Sequence, residues 1–112
     1  MSLFSFTKND RILNRGTFVK LAETGRTLRN RHFILVYRPS QHQRSRLGIT
    51  VTRNVGPAVT RNRIKRHSRE FFRLNRQDFT GSWDLNLIAK KEAASLSSEQ
   101  VSVSLKDIFG RL

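Results

Sequence analysis

Cysteine is absent from the 112 residues, which excludes a disulfide framework and a thiolate metal site. No stretch of about 18 apolar residues occurs, so no membrane-spanning helix is expected. The opening MSLFSFTKND lacks an apolar signal core and a small-residue cleavage site. Together these absences predict a cytoplasmic protein. No internal repeat or low-complexity block interrupts the chain. Histidine occurs three times, as His32, His42 and His67, and no two have nuclease or metal-ligand spacing. A structural, hydrogen-bonded role is the better reading of each. The acids are scattered singly, so no two-metal carboxylate cluster is expected. Catalysis by the protein alone, and a metal site within it, are therefore not anticipated.

What is scarcest is negative charge. Eight acidic residues face 22 basic ones, a formal net charge of +14. Such a chain repels itself when compact unless a polyanion is its normal companion. Arginine outnumbers lysine 16 to 6, and its planar fork binds phosphate through two parallel hydrogen bonds and stacks on bases. Nucleic acid is the leading partner. An anionic membrane is the rival, but no segment shows an amphipathic helix with an exposed Leu/Phe/Trp face. The apolar fraction of 37% comes in blocks, which excludes disorder and predicts one domain over residues 1–112 with a modest core.

The blocks predict elements. Residues 14–25 read as a short helix with Asn14 as a possible cap, Phe18, Leu21 and Ala22 on one face, and Gly25 as its stop. Residues 32–39 read as a strand with Phe33, Leu35 and Tyr37 on one side and Ile34 and Val36 on the other. Two apolar faces suggest a central strand, and Pro39 ends it. SQHQRSR then reads as a hairpin loop. Residues 47–52 form the returning strand, Leu47, Ile49 and Val51 on one face, Gly48, Thr50 and Thr52 on the other. Gly56-Pro57 marks a turn before a basic helix that fades near Asn75. Residues 83–91 are a third strand, with Trp83, Leu85, Leu87 and Ala89 sharing a face. In the last helix Ser97 and Gln100 fit a capping box, and Val101, Leu105 and Ile108 line a stripe. A short extra strand is possible near residues 27–29. The class is α/β or α+β around one small sheet.

The basic helix carries the functional signal. RNRIKRHSREFFR, residues 61–73, holds six cations and the single acid Glu70. At about 100° per residue, Arg61, Lys65, Arg66, Arg69, Arg73 and Arg76 fall in one broad sector. Ile64, His67, Ser68, Phe71 and Leu74 fall largely opposite. One face serves the core and the other a polyanion. Like charges at i,i+4 cost a few tenths of a kcal/mol each, and Arg61, Lys65, Arg69 and Arg73 form such a ladder, which folding alone gives no reason to keep. A solvated face would be equally soluble with mixed signs. Arg61-Asn62-Arg63 is placed in the first turn, where helix-start amides favour phosphate and Asn62 serves as a cap or reads a base edge. Arg63 lies off the main sector, free to pair with Glu70 or to reach a second nucleic-acid strand.

RLGITVTRNVGPAVTRNRIKRHSREFFR, residues 46–73, resembles the signature of the bacterial ribonuclease P protein subunit. The matching positions are Val55-Gly56, Ala58-Val59, Arg61-Asn62-Arg63, Lys65-Arg66, Arg69-Glu70, Phe72 and Arg73. The remaining elements fit along nearly the whole chain. The resemblance implies a two-layer sandwich with a small mixed sheet of about four strands and the basic helix in a left-handed βαβ crossover. It implies a partner, the catalytic RNA of ribonuclease P, that uses Mg2+ to remove the 5′ leader of precursor tRNA. It assigns Arg61, Asn62, Arg63, Lys65, Arg66, Arg69 and Arg73 to that RNA. It assigns Phe18, Phe33, Gly48, Thr50, Thr52 and Arg53 to a cleft for the leader. It leaves the protein itself without catalytic or metal-ligating residues. The chain departs from the family pattern at Ala22, where a second aromatic is usual, and at Arg53-Asn54, where two lysines are usual. A ribosomal or other structural RNA-binding protein, and a DNA reader placing the helix in a major groove, are the alternatives. The long ordered signature disfavours the first and the lack of a helix-turn-helix arrangement the second.

Overall fold

The computed structural model describes Arg11, residues 15–41 and residues 43–112. Asn14 and His42 lie outside the described residues. In chain order the elements are α1 (Arg15–Thr24), β1 (Arg26–Arg29), β2 (Phe33–Pro39), β3 (Arg46–Thr50), α2 (Ala58–Asn75), β4 (Trp83–Ala89) and α3 (Ser98–Phe109). Short 3-10 turns at Arg53–Val55, Arg76–Asp78 and Lys91–Ser95 join them.

The sheet runs in the order β1-β2-β4-β3. β2 is antiparallel to β1 and to β4, while β3 is parallel to β4. The expected hairpin between residues 32–39 and 47–52 does not form, because β4 lies between those strands. Length explains the choice. β2 and β4 are both seven residues and pair along their whole extent, Phe33 opposite Ala89 through Pro39 opposite Trp83. The five-residue β3 leaves fewer ladder bonds unmade at the edge. A parallel neighbour needs a long crossover, and here the crossover carries α2.

Register sorts the strands into two faces, since paired residues point the same way and alternate residues point oppositely. Phe33, Leu35, Leu85, Leu87 and Leu47 face α2 and α3 and are at most 2% exposed. Ile64, Phe71 and Phe72 of α2 meet them, with Val101, Leu105, Ile108 and Phe109 of α3. Rings close the far end of this layer: Phe79 stacks on Phe109 with centroids 5.4 Å apart, and Phe71 tilts against Phe109 at 5.6 Å. The helix wheel placed Leu74 inward and did not include Phe72. The buried stripe is instead centred between Ile64 and Phe72, so Phe72 is fully buried and Leu74 is 44% exposed. α3 begins as read: Ser97 Oγ accepts from the Gln100 N–H at 3.2 Å, and Gln100 Oε1 accepts from the Ser97 N–H at 2.9 Å.

α1 lies against β2 and β4 on the opposite face. Leu21 is fully buried yet outside the main core cluster. α1 stops at Gly25, whose N–H donates to the Leu21 carbonyl at 2.8 Å. A Cβ there would stand 2.5 Å from that oxygen and 2.9 Å from Val36 Cγ1, so only glycine permits the close turn from helix into β1.

Candidate RNA interface

The sheet face under α1 mixes apolar and polar residues, with Asn86, Gly48 and Thr50 toward β3 and Ile34, Val36 and Ile88 beside them. Val36, Asn86 and Gly48 lie side by side across β2, β4 and β3, and Ile34, Ile88 and Thr50 form the next row. Thr50 Oγ1 donates to Asn86 Oδ1 at 3.0 Å, which fixes the polar floor. Gly48 adds no side chain to its row and is itself buried, and Arg11 bridges to Leu47 on the outer side of β3. α1 forms the wall. Phe18 is one turn before Leu21 and thus on the same helix side, half-buried. Ala22 is exposed and adds no second ring. Thr52 and Arg53 follow β3 and are exposed. Phe18, Gly48 and Thr50 therefore share one side of the sheet, with Thr52 and Arg53 at its end.

Phe33 does not join them. It is 0% exposed and points into the core with Leu35, because residue 33 alternates with Ile34, which faces α1. The cleft assignment of Phe33 is corrected to core packing.

α2 begins at Ala58 with Pro57 as its N-cap, and the Arg61 N–H already donates to the Pro57 carbonyl at 3.0 Å. Arg61-Asn62-Arg63 thus occupies the second turn, not the first. The unbonded helix-start amides belong to the residues before it, and Asn62 is exposed without capping. Proline without an N–H is well suited to this boundary.

The seven α2 residues that the resemblance assigns to RNA divide by environment. Arg61 is half-buried and its Nε donates to the Gly56 carbonyl at 3.2 Å. Arg63 Nη2 donates to the Ala94 carbonyl at 2.8 Å, which anchors α2 to the 3-10 turn before α3, and its Nε is buried without a hydrogen-bond partner. Arg63 does not pair with Glu70. That carboxylate takes Arg73 instead, with Nε 3.1 Å from Oε2. The hydrogen bond from Arg73 holds the Glu70 carboxyl below its ordinary pKa and raises that of Arg73. Asn62, Arg66 and Arg69 are exposed, and Lys65 is half-buried. Lys65 and Arg69 stand one turn apart, with Arg66 beside them, as the charged centre of the face. His67 is half-buried. Burial lowers its pKa, and Arg66 and then Arg63 lower it further, so the ring is neutral at pH 7 and adds no charge here. His32 Nδ1 lies 2.9 Å from Ser104 Oγ, a structural contact between β2 and α3.

The buried cluster at one end of the open face is absent from the sequence reading. Asp84 is 1% exposed and is gripped by Arg46 through Nε–Oδ1 at 3.0 Å and Nη2–Oδ2 at 3.1 Å. Arg38 Nη2 stands 3.8 Å from Oδ2. The polar alternation of Asp84 and Asn86 was the available signal, though it reads as an ordinary solvent face until the partner strands are known. Among the described residues no group of three or more His, Asp or Glu side chains is placed to hold a metal ion, and none of the helices there is long and apolar enough to cross a membrane.

Comparison with known proteins follows this geometry closely. A family model described as Ribonuclease P matches residues 6–112. The chain is 45% identical over 109 residues to the ribonuclease P protein component of Desulfosudis oleivorans, covering 97% of this chain and 90% of that one. It is 46% identical over 112 residues to that of Desulfatibacillum aliphaticivorans, covering 100% and 95%. The solved structure of the Staphylococcus aureus RNase P protein superposes with a TM-score of 0.86 at 29% identity, covering 91% of this chain and 94% of that one. The Thermotoga maritima RNase P protein does so with a TM-score of 0.84 at 30% identity, covering 91% and 96%. A mixed four-stranded sheet with three helices, a cation-faced α2 and full-length similarity together place the chain in the ribonuclease P protein component family.

Proposed function

We propose that this chain is the protein subunit of ribonuclease P, acting in maturation of the tRNA 5′ end. In this reading α2 docks on the catalytic RNA through Lys65, Arg66 and Arg69, with Arg61, Asn62 and Arg73 at the margins. Arg63 supports the helix from behind. The groove between α1 and the open sheet face holds the 5′ leader of precursor tRNA, with Phe18 as a stacking platform and Gly48, Thr50, Thr52 and Arg53 along its floor and end. The observation that carries the reading is the division of α2 into a buried apolar stripe and an almost acid-free cation face.

The chemistry is assigned to the RNA. The protein's described residues do not fit a magnesium site: Asp84, the buried acid, is already bound by Arg46, and no carboxylate cluster is present among them. In this reading Mg2+ is held by the RNA. The protein binds, orients the leader and lowers repulsion between RNA segments, and it cleaves nothing by itself. The complex is cytoplasmic.

The partner is tested by binding to the cognate catalytic RNA across a salt series. Each lost phosphate contact reduces the slope of log K against log salt by about 0.7–0.9. Lys65→Ala and Arg69→Ala are each expected to weaken binding and flatten the slope by about one such step, with thermal unfolding unchanged or slightly improved as the i,i+4 repulsion falls. An unchanged slope in folded variants would return these side chains to solvent.

A further inference from the structure

β1 closes the sheet at the edge opposite β3, and among the described residues no strand pairs with its outer side. The Asn30 N–H donates inward to the Phe33 carbonyl at 3.0 Å. By alternation Leu28 and Arg26 also turn their backbone groups toward β2, while Thr27 and Arg29 turn theirs outward. The Arg29 carbonyl is met there by Arg111 Nη1 at 2.9 Å. The outward amide donors of Thr27 and Arg29 are left open.

Three arginines surround this edge. Arg26 stands on the core-side face opposite Tyr37, Arg29 on the α1 side opposite Ile34, and Arg31 follows in the turn to β2. All three are exposed, and among the described residues none of their side chains has a hydrogen-bond or ion-pair partner. Asp107 approaches the turn but is taken by Arg111 at 2.9 Å and by Asn30 Nδ2 at 3.3 Å. The turn itself is held firmly. Asn30 Oδ1 accepts from the His32 and Phe33 N–H groups at 2.9 and 2.8 Å, and Asn30 Nδ2 donates to the Ser104 carbonyl at 2.9 Å. A charge on an edge strand guards it against pairing, but one suffices for four residues. Three unpaired guanidinium groups beside two open amides are the donor set that grips a sugar-phosphate backbone. β1 lies three strand spacings from β3, about 14 Å, and α2 packs against β3. Phosphates reached from β1 therefore belong to a different stretch of RNA from those at Lys65, Arg66 and Arg69.

We propose that the β1 edge is a second RNA-binding surface, on which Arg26, Arg29 and Arg31 with the Thr27 and Arg29 amides hold the backbone of the catalytic RNA at a segment separate from the one docked on α2. The proposal rests on the reading of α2 as an RNA-docking helix. A permanent partner fits this surface better than a transient substrate, because self-repulsion in a chain of net charge +14 returns whenever its anion leaves. With α2 docked, the second contact is made at high effective concentration.

The test measures binding of the full-length protein to the cognate catalytic RNA across a salt series. The triple variant Arg26→Gln/Arg29→Gln/Arg31→Gln is expected to keep the parent's melting temperature and to flatten the slope of log K against log salt by about 2, at about 0.7–0.9 for each lost phosphate contact. Adding Lys65→Ala flattens it by a further, independent step. The chain has no cysteine, so Thr27→Cys and Asn62→Cys each accept a single tethered hydroxyl-radical source, and the two are expected to cut different RNA nucleotides. Identical cutting patterns would make the edge part of the α2 site and overturn the proposal. A triple variant with the parent's slope, while Lys65→Ala still flattens it, returns the arginines to solvent and leaves the α2 reading intact. An unchanged slope with weaker binding of precursor tRNA to the holoenzyme assigns the edge to substrate and overturns the proposal equally. If Lys65→Ala is also without effect, the α2 reading fails and this one with it.

Discussion

Phe33→Ala is expected to lose about 3–5 kcal/mol of unfolding free energy. The ring is fully buried between the central strands and the helical layer, and truncation leaves a cavity that the paired strands cannot collapse to fill. For a domain of ordinary stability, about 5–15 kcal/mol, that is a large share of the whole. Phe18→Ala behaves in the opposite way. Its ring is half-buried on the open side, so the variant stays folded and loses about 1–3 kcal/mol of leader binding. Urea unfolding of the two variants, beside affinities for long-leader and one-nucleotide-leader precursor tRNA, separates the roles. A stable Phe33→Ala protein with a selective leader defect would reverse the assignment. Equal weakening of both substrates by Phe18→Ala would remove that ring from the leader site.

Asp84→Asn is expected to cost about 3 kcal/mol, the lower end of the range for breaking a buried ion pair. The carboxylate is 2% exposed at its side chain, but Arg38 and Arg46 are 22% and 21% exposed, so water screens part of the charge left behind. The variant leaves two arginines facing each other across β4 with no acid between them. Coupling Asp84→Asn with Arg46→Gln removes that repulsion and should recover part of the loss, a non-additivity that a double-mutant cycle in urea measures. A loss below about 1 kcal/mol would mean the cluster is solvated and contributes no more than a surface pair.

These two sites mark the boundary of what the sequence discloses. Alternation in residues 33–39 and 83–89 gives the faces of β2 and β4, and the stripe of Val101, Leu105 and Ile108 with the Ser97–Gln100 box gives α3 and its start. Periodicity is a property of one segment, however, and says nothing of which segment lies beside it. The order β1-β2-β4-β3 depends on the length match between β2 and β4, so a hairpin was the natural but incorrect expectation. The same limit hides Asp84, whose partner Arg46 lies 38 residues away, and Arg63, whose acceptor at Ala94 lies 31 residues away. Phe33 and Phe18 are both aromatic in apolar surroundings, and only the sheet's two sides tell them apart. The cation face needed no partner to be seen. It follows from one helix, one period and one missing charge type, and the structure alters it chiefly by tying Arg63 inward and pairing Arg73 with Glu70.

The most direct measurement combines this protein with its cognate catalytic RNA and a precursor tRNA at low magnesium concentration, and follows release of the 5′ leader. The account predicts cleavage at the mature 5′ end that is fast with both components, slow with the RNA alone and absent with the protein alone. If the protein adds nothing to the RNA under these conditions, or if highly purified protein cleaves without RNA, the account is contradicted.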